Sequence, residues 1–505
     1  MVTRKCRPVK SGARGTISPV SSVPLSRVRA LNQKGTRTGG EFVVYWMTSA
    51  RRARYNVGLQ RAVELANELH RPVIVLEALR CDYPWASDRL HAFVIDGMRA
   101  NARAFAGTPV RYVPYVEPAR GAGKGLLEAL AARACAVVTD WYPAFFLPRM
   151  AEAAAARLDV RLEAIDSNTL IPAAEHGRAF PTARGYRAFV QRELRRHLAE
   201  FPLDDPAGTL TGRMPALPAD VTRRWAPTDL ERVNLGDLPI DHSVPPVPTR
   251  GGHDAAMETL RRFIKGPLAS YLDDGNHPDA DATSHLSPYL HFGHISAHEV
   301  FSSVMTCEKW TTRKLATNAG GAREGWWNVS PSAEAFLDQL VVWRELAFNG
   351  SAWTPGFERY DTLPAWARAT LEAHADDERP HLYDLATLDA ARTDDEVWNA
   401  AERQLVEDGW FHGYMRMLWG KKILEWSADP AAALAHMEQL MNRYSLDGRD
   451  PVSYASFGWV LGRYDRPWPE RAVYGTVRCM TSGSARRKLR MREYLRKYGR
   501  PSLSN

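Results

Sequence analysis

Apolar and polar positions follow two different rhythms along the chain. Up to about residue 175, short apolar runs alternate with stretches of helical spacing. The runs at 42–47 (Phe-Val-Val-Tyr-Trp-Met), 73–76, 110–116, 136–139 and 160–165 read as buried strands. Segments 56–69, 91–105, 126–133 and 151–158 read as helices between them. This alternation predicts a parallel α/β sheet over residues 39–175. No Gly-x-Gly-x-x-Gly follows the first strand, so a dinucleotide fingerprint is absent.

The rhythm changes at 176–250. Pro202, Pro206, Pro215, Pro218, Pro227, Pro239, Pro245, Pro246 and Pro248 stand among polar residues, which predicts a long linker with some helix near 185–200. From 251 to 505 the spacing is almost wholly helical. Within it, 308–332 reads as a polar insertion carrying Gly320-Gly321 and Trp326-Trp327. Residues 1–38 read as a short basic disordered arm, with Arg4, Lys5, Arg7, Lys10 and Arg14 and no apolar signal core behind them.

Composition narrows the function classes. With 505 residues, 45% of them hydrophobic, the chain has enough length for two or three domains and a large core. No apolar run approaches the roughly 20 residues of a membrane helix, so no membrane partner is expected. Cys6, Cys81, Cys135, Cys307 and Cys479 are scattered and odd in number, which argues against a metal site or a disulfide framework. The expected compartment is the reducing cytoplasm, and the expected state a monomer. The net charge is +8, and Arg478, Arg486, Arg487, Lys488, Arg490, Arg492, Arg496, Lys497 and Arg500 concentrate it at the C-terminus. Such a run is either a solvated helix face or, in a chain with sixteen tryptophans, part of a nucleic-acid surface.

Four stretches bear on chemistry. In Thr283-Ser284-His285-Leu286-Ser287-Pro288, hydroxyls precede an apolar helical run, where they suit either an ordinary cap or a phosphate at the helix N-terminus. Trp419 and Trp426 are seven apart and share a helix face, with Trp398 on the preceding helical segment. Alone, this reads as an aromatic core interface. Asp447-Gly448-Arg449-Asp450-Pro451 is turn-like. The last stretch runs from Trp459 through Arg463-Tyr464-Asp465-Arg466-Pro467-Trp468 to Arg478.

Taken together, these stretches resemble the photolyase and cryptochrome superfamily, and most closely the class II cyclobutane pyrimidine dimer photolyases. The resemblance is strong over 283–498, weaker in the α/β part and poor in the linker. It implies an N-terminal Rossmann-like antenna domain, a long linker and an all-helical C-terminal domain holding FAD. Tyr45-Trp46-Met47, Thr139-Asp140 and Ile165-Asp166 look like landmarks of the antenna domain. The FAD-binding residues it implies are Tyr271, Thr283, Ser284, Leu286, Ser287, Arg416, Met441, Asp447 and Asp450, with Arg416 paired to Asp447. Trp419, Trp398 and Trp426 match an electron relay, with Trp419 nearest the flavin, Trp398 intermediate and Trp426 near the surface, fed by an external reductant. Gln339, Trp343, Met417, Trp459, Trp468 and Arg478 match the pocket for a flipped-out lesion in ultraviolet-damaged DNA, Arg478 filling the gap left in the helix. An antenna pigment of the deazaflavin type belongs to the same expectation.

Three positions depart from that pattern. Gln339 stands where class II enzymes carry glutamate, as in six-four photolyases. An amide still donates and accepts but carries no charge. Met441 replaces an asparagine that faces flavin N5, and a thioether donates nothing there. Val452 replaces an asparagine after the Asp-Pro. The alternatives to dimer repair are therefore a cryptochrome-like photosensor and a six-four photolyase.

Overall fold

The structure is a computed structural model that describes residues 22–499. Residues 4–14 of the expected basic arm, and Arg500, lie outside the described residues. Six strands build one sheet: β1 (Val28–Ala30), β2 (Phe42–Met47), β3 (Val73–Leu79), β4 (Arg111–Val116), β5 (Ala134–Asp140) and β6 (Leu162–Ile165). Their order is β1-β6-β5-β2-β3-β4. β2 to β6 are parallel, and β1 runs antiparallel along β6. The parallel strands follow the order of a doubly wound fold, reversing direction between β2 and β5.

Every β2 residue is buried, as expected for a central parallel strand covered on both faces. Val43, Tyr45 and Met47 pack with Leu59, Ala62 and Val63 of α1 (Val57–Leu69). Phe42, Val44 and Trp46 pack on the opposite face, with Leu126 and Leu130 of α3 (Leu126–Ala131) and Ala154 of α4 (Leu147–Arg157). α2 (Asp88–Phe105) completes the set of crossover helices. At the reversal, Asp140 holds the loop after β2. Its Oδ2 accepts the backbone N–H groups of Thr48, Ser49 and Ala50 at 2.8–2.9 Å, and Tyr45 donates to its Oδ1 at 2.6 Å. Asp166 orders the loop after β6 in the same way, accepting from Asn168, Thr169 and Ala173.

β1 falls inside the span expected to be an arm. Three residues cannot display a period of two, and long-range hydrogen bonding sets the strand instead. The buried Arg27 guanidinium donates to the carbonyls of Asp166, Thr169 and Leu170 at 2.7–3.2 Å. The proline-rich stretch also differs from a free linker. It contains the helix Ala183–His197, and Trp225, Leu230, Leu238 and Val244 are buried in it. Proline fixes φ without preventing the apolar residues between prolines from packing.

The chain divides into two compact units. The first holds the sheet, residues 192–261 and residues 286–315. The second holds 178–191, 262–285 and everything after 315. It is helical, with α5 (Pro331–Leu337), α6 (Arg344–Trp353), α7 (Glu396–Asp408), α8 (Gly413–Trp426), α9 (Pro430–Tyr444) and α10 (Pro451–Val460). α10 packs against α6, α8 and α9, while α7 packs against α8. The later part of the 308–332 insertion is anchored rather than loose. Trp326 and Trp327 are buried, and the Glu334 carboxylate accepts from the backbone N–H groups of Gly325, Trp326 and Trp327 at 2.7–3.1 Å. No helix among the described residues is long and apolar enough to cross a membrane. Nor do three or more His, Cys, Asp or Glu residues gather there as a candidate metal site.

Candidate active site

Local sequence rules place the helices that carry the site. Asp395 caps α7, its Oδ1 accepting from the backbone N–H groups of Val397 and Trp398 at 3.1 Å. α7 ends at Gly409, whose φ of 66° needs a residue without Cβ strain. Asp429-Pro430 and Asp450-Pro451 each supply a capping carboxylate followed by a proline at the first helical position. α8 approaches α9 and α10 closely at Gly420. A Cβ there would lie 2.6 Å from Val460 Cγ2 and 3.1 Å from Met437 Sδ.

These helices bring the three tryptophans together. Trp398, Trp419 and Trp426 are 0%, 1% and 2% exposed. The rings of Trp398 and Trp419 are parallel within 4°, with centroids 6.5 Å apart. Trp426 meets Trp398 edge-on at 5.6 Å. Trp398 Nε1 donates to the Trp419 carbonyl at 3.0 Å, fixing one indole against the backbone of the other. Trp426 itself is buried. Tyr383 covers it edge-on at 5.2 Å, and the exposed His381 stacks on Tyr383 at 5.5 Å. A loop 43 residues before Trp426 supplies this outer end, and no helical spacing announces it. At the inner end Phe411 meets Trp419 at 5.6 Å, and the Arg416 guanidinium lies 5.1 Å from the Phe411 centroid.

Trp419 has a further neighbour that the motifs do not mark. Its Nε1 donates to Glu402 Oε2 at 2.6 Å. Glu402 is fully buried, and Oε1 has no hydrogen-bond partner among the described residues. Burial pushes the carboxyl up to about 8, although the indole N–H pulls the other way. Helical spacing held the signal, because Glu402 lies one turn after Trp398 and shares its face.

Arg416 and Asp447 meet: Nη2 lies 2.9 and 3.0 Å from the two carboxylate oxygens. Ser445 Oγ donates to the same carboxylate at 2.5 Å. Asp447-Gly448-Arg449 is the turn between α9 and α10, with Arg449 at φ +61°. The buried Arg449 guanidinium donates to the carbonyls of Asn442 and Ser445 and so closes the end of α9. Met441 is fully buried on α9. Its neighbour Asn442 accepts from the Arg449 backbone N–H through Oδ1 at 2.7 Å, while its Nδ2 is buried with no hydrogen-bond partner among the described residues. Tyr271 is half-buried between the edges of Phe263 and Phe336.

Thr283 and Ser284 end the 262–285 segment of the second unit, whereas Leu286 and Ser287 belong to the first. The expected hydroxyl cap is not formed. Leu286 is the N-cap of the five-residue helix Ser287–His291, and no side chain caps it. Pro288, second in that helix, has no N–H to offer. The donor set nevertheless fits a flavin dinucleotide on one observation. Arg416 Nε is buried with no hydrogen-bond partner among the described residues, leaving a charged donor unspent beside the Asp447 carboxylate.

A second group of residues keeps access to solvent. Asp338–Trp343 forms a π-helical turn between α5 and α6, with Gln339 exposed and Trp343 half-buried. Such turns recur at functional sites, and the sequence reading gave no sign of it. Its anchor is Asp338, which holds Arg187 through two hydrogen bonds of 2.6 and 3.1 Å. Met417 and Trp459 are half-exposed on α8 and α10. The Arg478 guanidinium lies 5.6 Å from the Trp459 centroid and 4.9 Å from that of Trp468. Beneath Trp459 the ammonium of Lys421 lies 5.1 Å from the ring.

Arg486, Arg487, Lys488, Arg490, Arg492, Arg496 and Lys497 of the C-terminal basic run are exposed, but several are paired. Arg486, Arg490 and Arg496 reach Glu396, Asp274 and Glu493, and Lys497 lies 3.7 Å from Asp408.

No family model matches the chain. Curated proteins do. It is 33% identical over 477 residues to a deoxyribodipyrimidine photo-lyase of Methanothermobacter thermautotrophicus, covering 93% of this chain and 97% of that one. It is 34% identical to the deoxyribodipyrimidine photo-lyase of Oryza sativa subsp. japonica, covering 93% and 90%. Among solved structures, a bacterial class III photolyase from Agrobacterium tumefaciens superposes with a TM-score of 0.63 at 18% identity, over 91% of this chain and 86% of that one. That likeness concerns the fold; identity over nearly the full length of both photo-lyases makes this chain a member of the deoxyribodipyrimidine photo-lyase family.

Proposed function

We propose that this chain is a class II photolyase that repairs cyclobutane pyrimidine dimers in ultraviolet-damaged DNA under blue light. One observation carries the reading. Two half-exposed indoles, Trp459 and Trp468, bracket the Arg478 cation on the same helical unit that buries the Trp419–Trp398–Trp426 row. A photosensor has no need of such an aromatic and cationic surface.

When bound, FAD supplies light-driven one-electron transfer, the chemistry that opens the cyclobutane ring. The protein's residues bind, orient and insulate. Arg416, Asp447, Met441, Tyr271, Thr283 and Ser284 hold the cofactor. Asp450 itself is spent on capping α10, so its contribution is to fix that helix. Trp419, Trp398 and Trp426 relay electrons inward from an external reductant, which meets the row near His381 and Tyr383. Trp459 stacks on the flipped dimer, with Trp343 and Met417 as the apolar wall and Gln339 as hydrogen-bond partner. Arg478 occupies the gap in the duplex, Trp468 supports it, and the unpaired part of the basic run meets phosphates. The crevice at the β2/β5 reversal is where an antenna pigment of the deazaflavin type belongs. The test is light-dependent loss of a thymine dimer from an oligonucleotide, against a dark control. A protein that binds FAD yet leaves the dimer intact in the light is not a dimer photolyase.

A further inference from the structure

Lys421 is the one fully buried lysine in this region, and the mechanism above does not use it. It lies on α8, two residues after Trp419, and is 0% exposed. Its Nζ donates to the Val460 carbonyl at 2.6 Å and lies under the Trp459 ring. No carboxylate of the described residues comes within 4 Å of it. Lys422 differs, pairing with Glu425 and lying 3.7 Å from Asp395.

The charged and titratable groups around this amine come from two elements. Arg478, Asp465, Cys479 and Tyr474 belong to the segment after α10, and Glu425 lies one turn further along α8. Arg478 disfavours the ammonium, whereas Asp465 and Cys479 favour it. Asp465 Oδ1 accepts from Arg466 N and Trp468 Nε1, while its Oδ2 has no hydrogen-bond partner among the described residues. Tyr474 donates to the Lys421 backbone carbonyl at 2.8 Å. Cys479 stays a thiol, because burial raises its pKa. Nζ and the Arg478 guanidinium lie near one indole, at 5.1 and 5.6 Å from its centroid, so a proton on Nζ is repelled by the guanidinium. Burial brings Lys421 down to about 7; the Asp465 carboxylate pulls the other way, and the Arg478 guanidinium adds to the lowering.

Resting on the lesion-binding reading of Trp459 and Arg478, we propose that Lys421 is a proton-linked positioning residue that takes up a proton when damaged DNA binds. A phosphate on Arg478 cancels the charge that disfavours the ammonium. The ammonium then forms beneath Trp459, where cation–π attraction steadies the ring that faces the lesion. The bound-state pKa thus lies above the free-state value. Affinity is highest at pH values below the free pKa and falls as pH rises through the bound one. Each unit of difference is worth up to about tenfold in affinity across that range.

The experiment is calorimetric titration of a dimer-containing duplex into the dark, FAD-loaded protein at pH 7.5, in phosphate and in Tris. Their different ionisation enthalpies reveal the number of protons taken up. The wild type is expected to gain a substantial fraction of one proton. Lys421→Met, which keeps a stem of similar length and removes the ionisable group, is expected to lose that uptake. Arg478→Ala removes the repulsion in advance, so its Lys421 is charged before DNA arrives and its uptake falls as well. Equal uptake by wild type and Lys421→Met, or no uptake by the wild type while the duplex binds, overturns the proposal. A duplex that does not bind at all overturns the lesion-binding reading instead.

Discussion

Glu402 makes the residue scale concrete. A carboxyl with no exposed surface and a single indole donor is held neutral through most of the physiological range. Its folded pKa of about 8 lies above its ordinary value, so its contribution to stability is fully present below that value and is lost as pH rises through 8. Glu402→Gln is therefore expected to match the wild type near pH 5 and to melt several degrees higher near pH 9. Thermal melts at the two pH values check this, and a variant that loses stability equally at both contradicts it. The Arg416–Asp447 pair carries the opposite risk, since removing one partner leaves a buried charge. Asp447→Asn is expected to cost about 3 kcal/mol in denaturant unfolding and to lower FAD occupancy. The seven-residue spacing made Trp419 and Trp426 legible as sharing a helix face, and Trp398 meets both rings. The spacing could not reveal that Tyr383 covers Trp426, because that contact joins segments 43 residues apart. Glu402 was legible in principle from its spacing after Trp398 but carried no motif.

At the scale of elements, the strands at 42–47, 110–116 and 136–139 and the helix at 56–69 lie within a few residues of where the apolar rhythm put them. Long periodic segments announce themselves. β1 and the π turn at Asp338–Trp343 did not, because three residues hold too little pattern and a wide turn leaves no compositional trace. The hydroxyl-cap alternative at 283–287 is not realised, because the N-cap is Leu286, whose side chain has no acceptor. Close helix packing is the element-scale constraint that positions Trp419 and Trp459, through α8 and α10. Gly420→Ala pushes a methyl against Val460 and Met437 and is expected to cost about 1–3 kcal/mol. A variant as stable as the wild type in denaturant unfolding means that the two helices can separate freely.

At the scale of the whole molecule, identity over nearly the full length of two deoxyribodipyrimidine photo-lyases fixes the family. The class and the lesion rest on particular side chains. Gln339 and Met441 are two of the three positions that depart from the class II pattern, and they occupy different surroundings. Gln339 is exposed on the π turn beside Trp343, while Met441 is buried on α9. On the proposed reading, the first bears on which lesion is held, and the second on the cofactor's environment. The measurement that tests the central claim most directly is repair by the reduced, FAD-loaded protein under blue light, with a thymine-dimer and a six-four oligonucleotide assayed side by side. The account predicts light-dependent restoration of the thymine dimer, none in the dark, and no repair of the six-four lesion. Restoration of the six-four lesion alone, or of neither while the flavin still photoreduces, would contradict it.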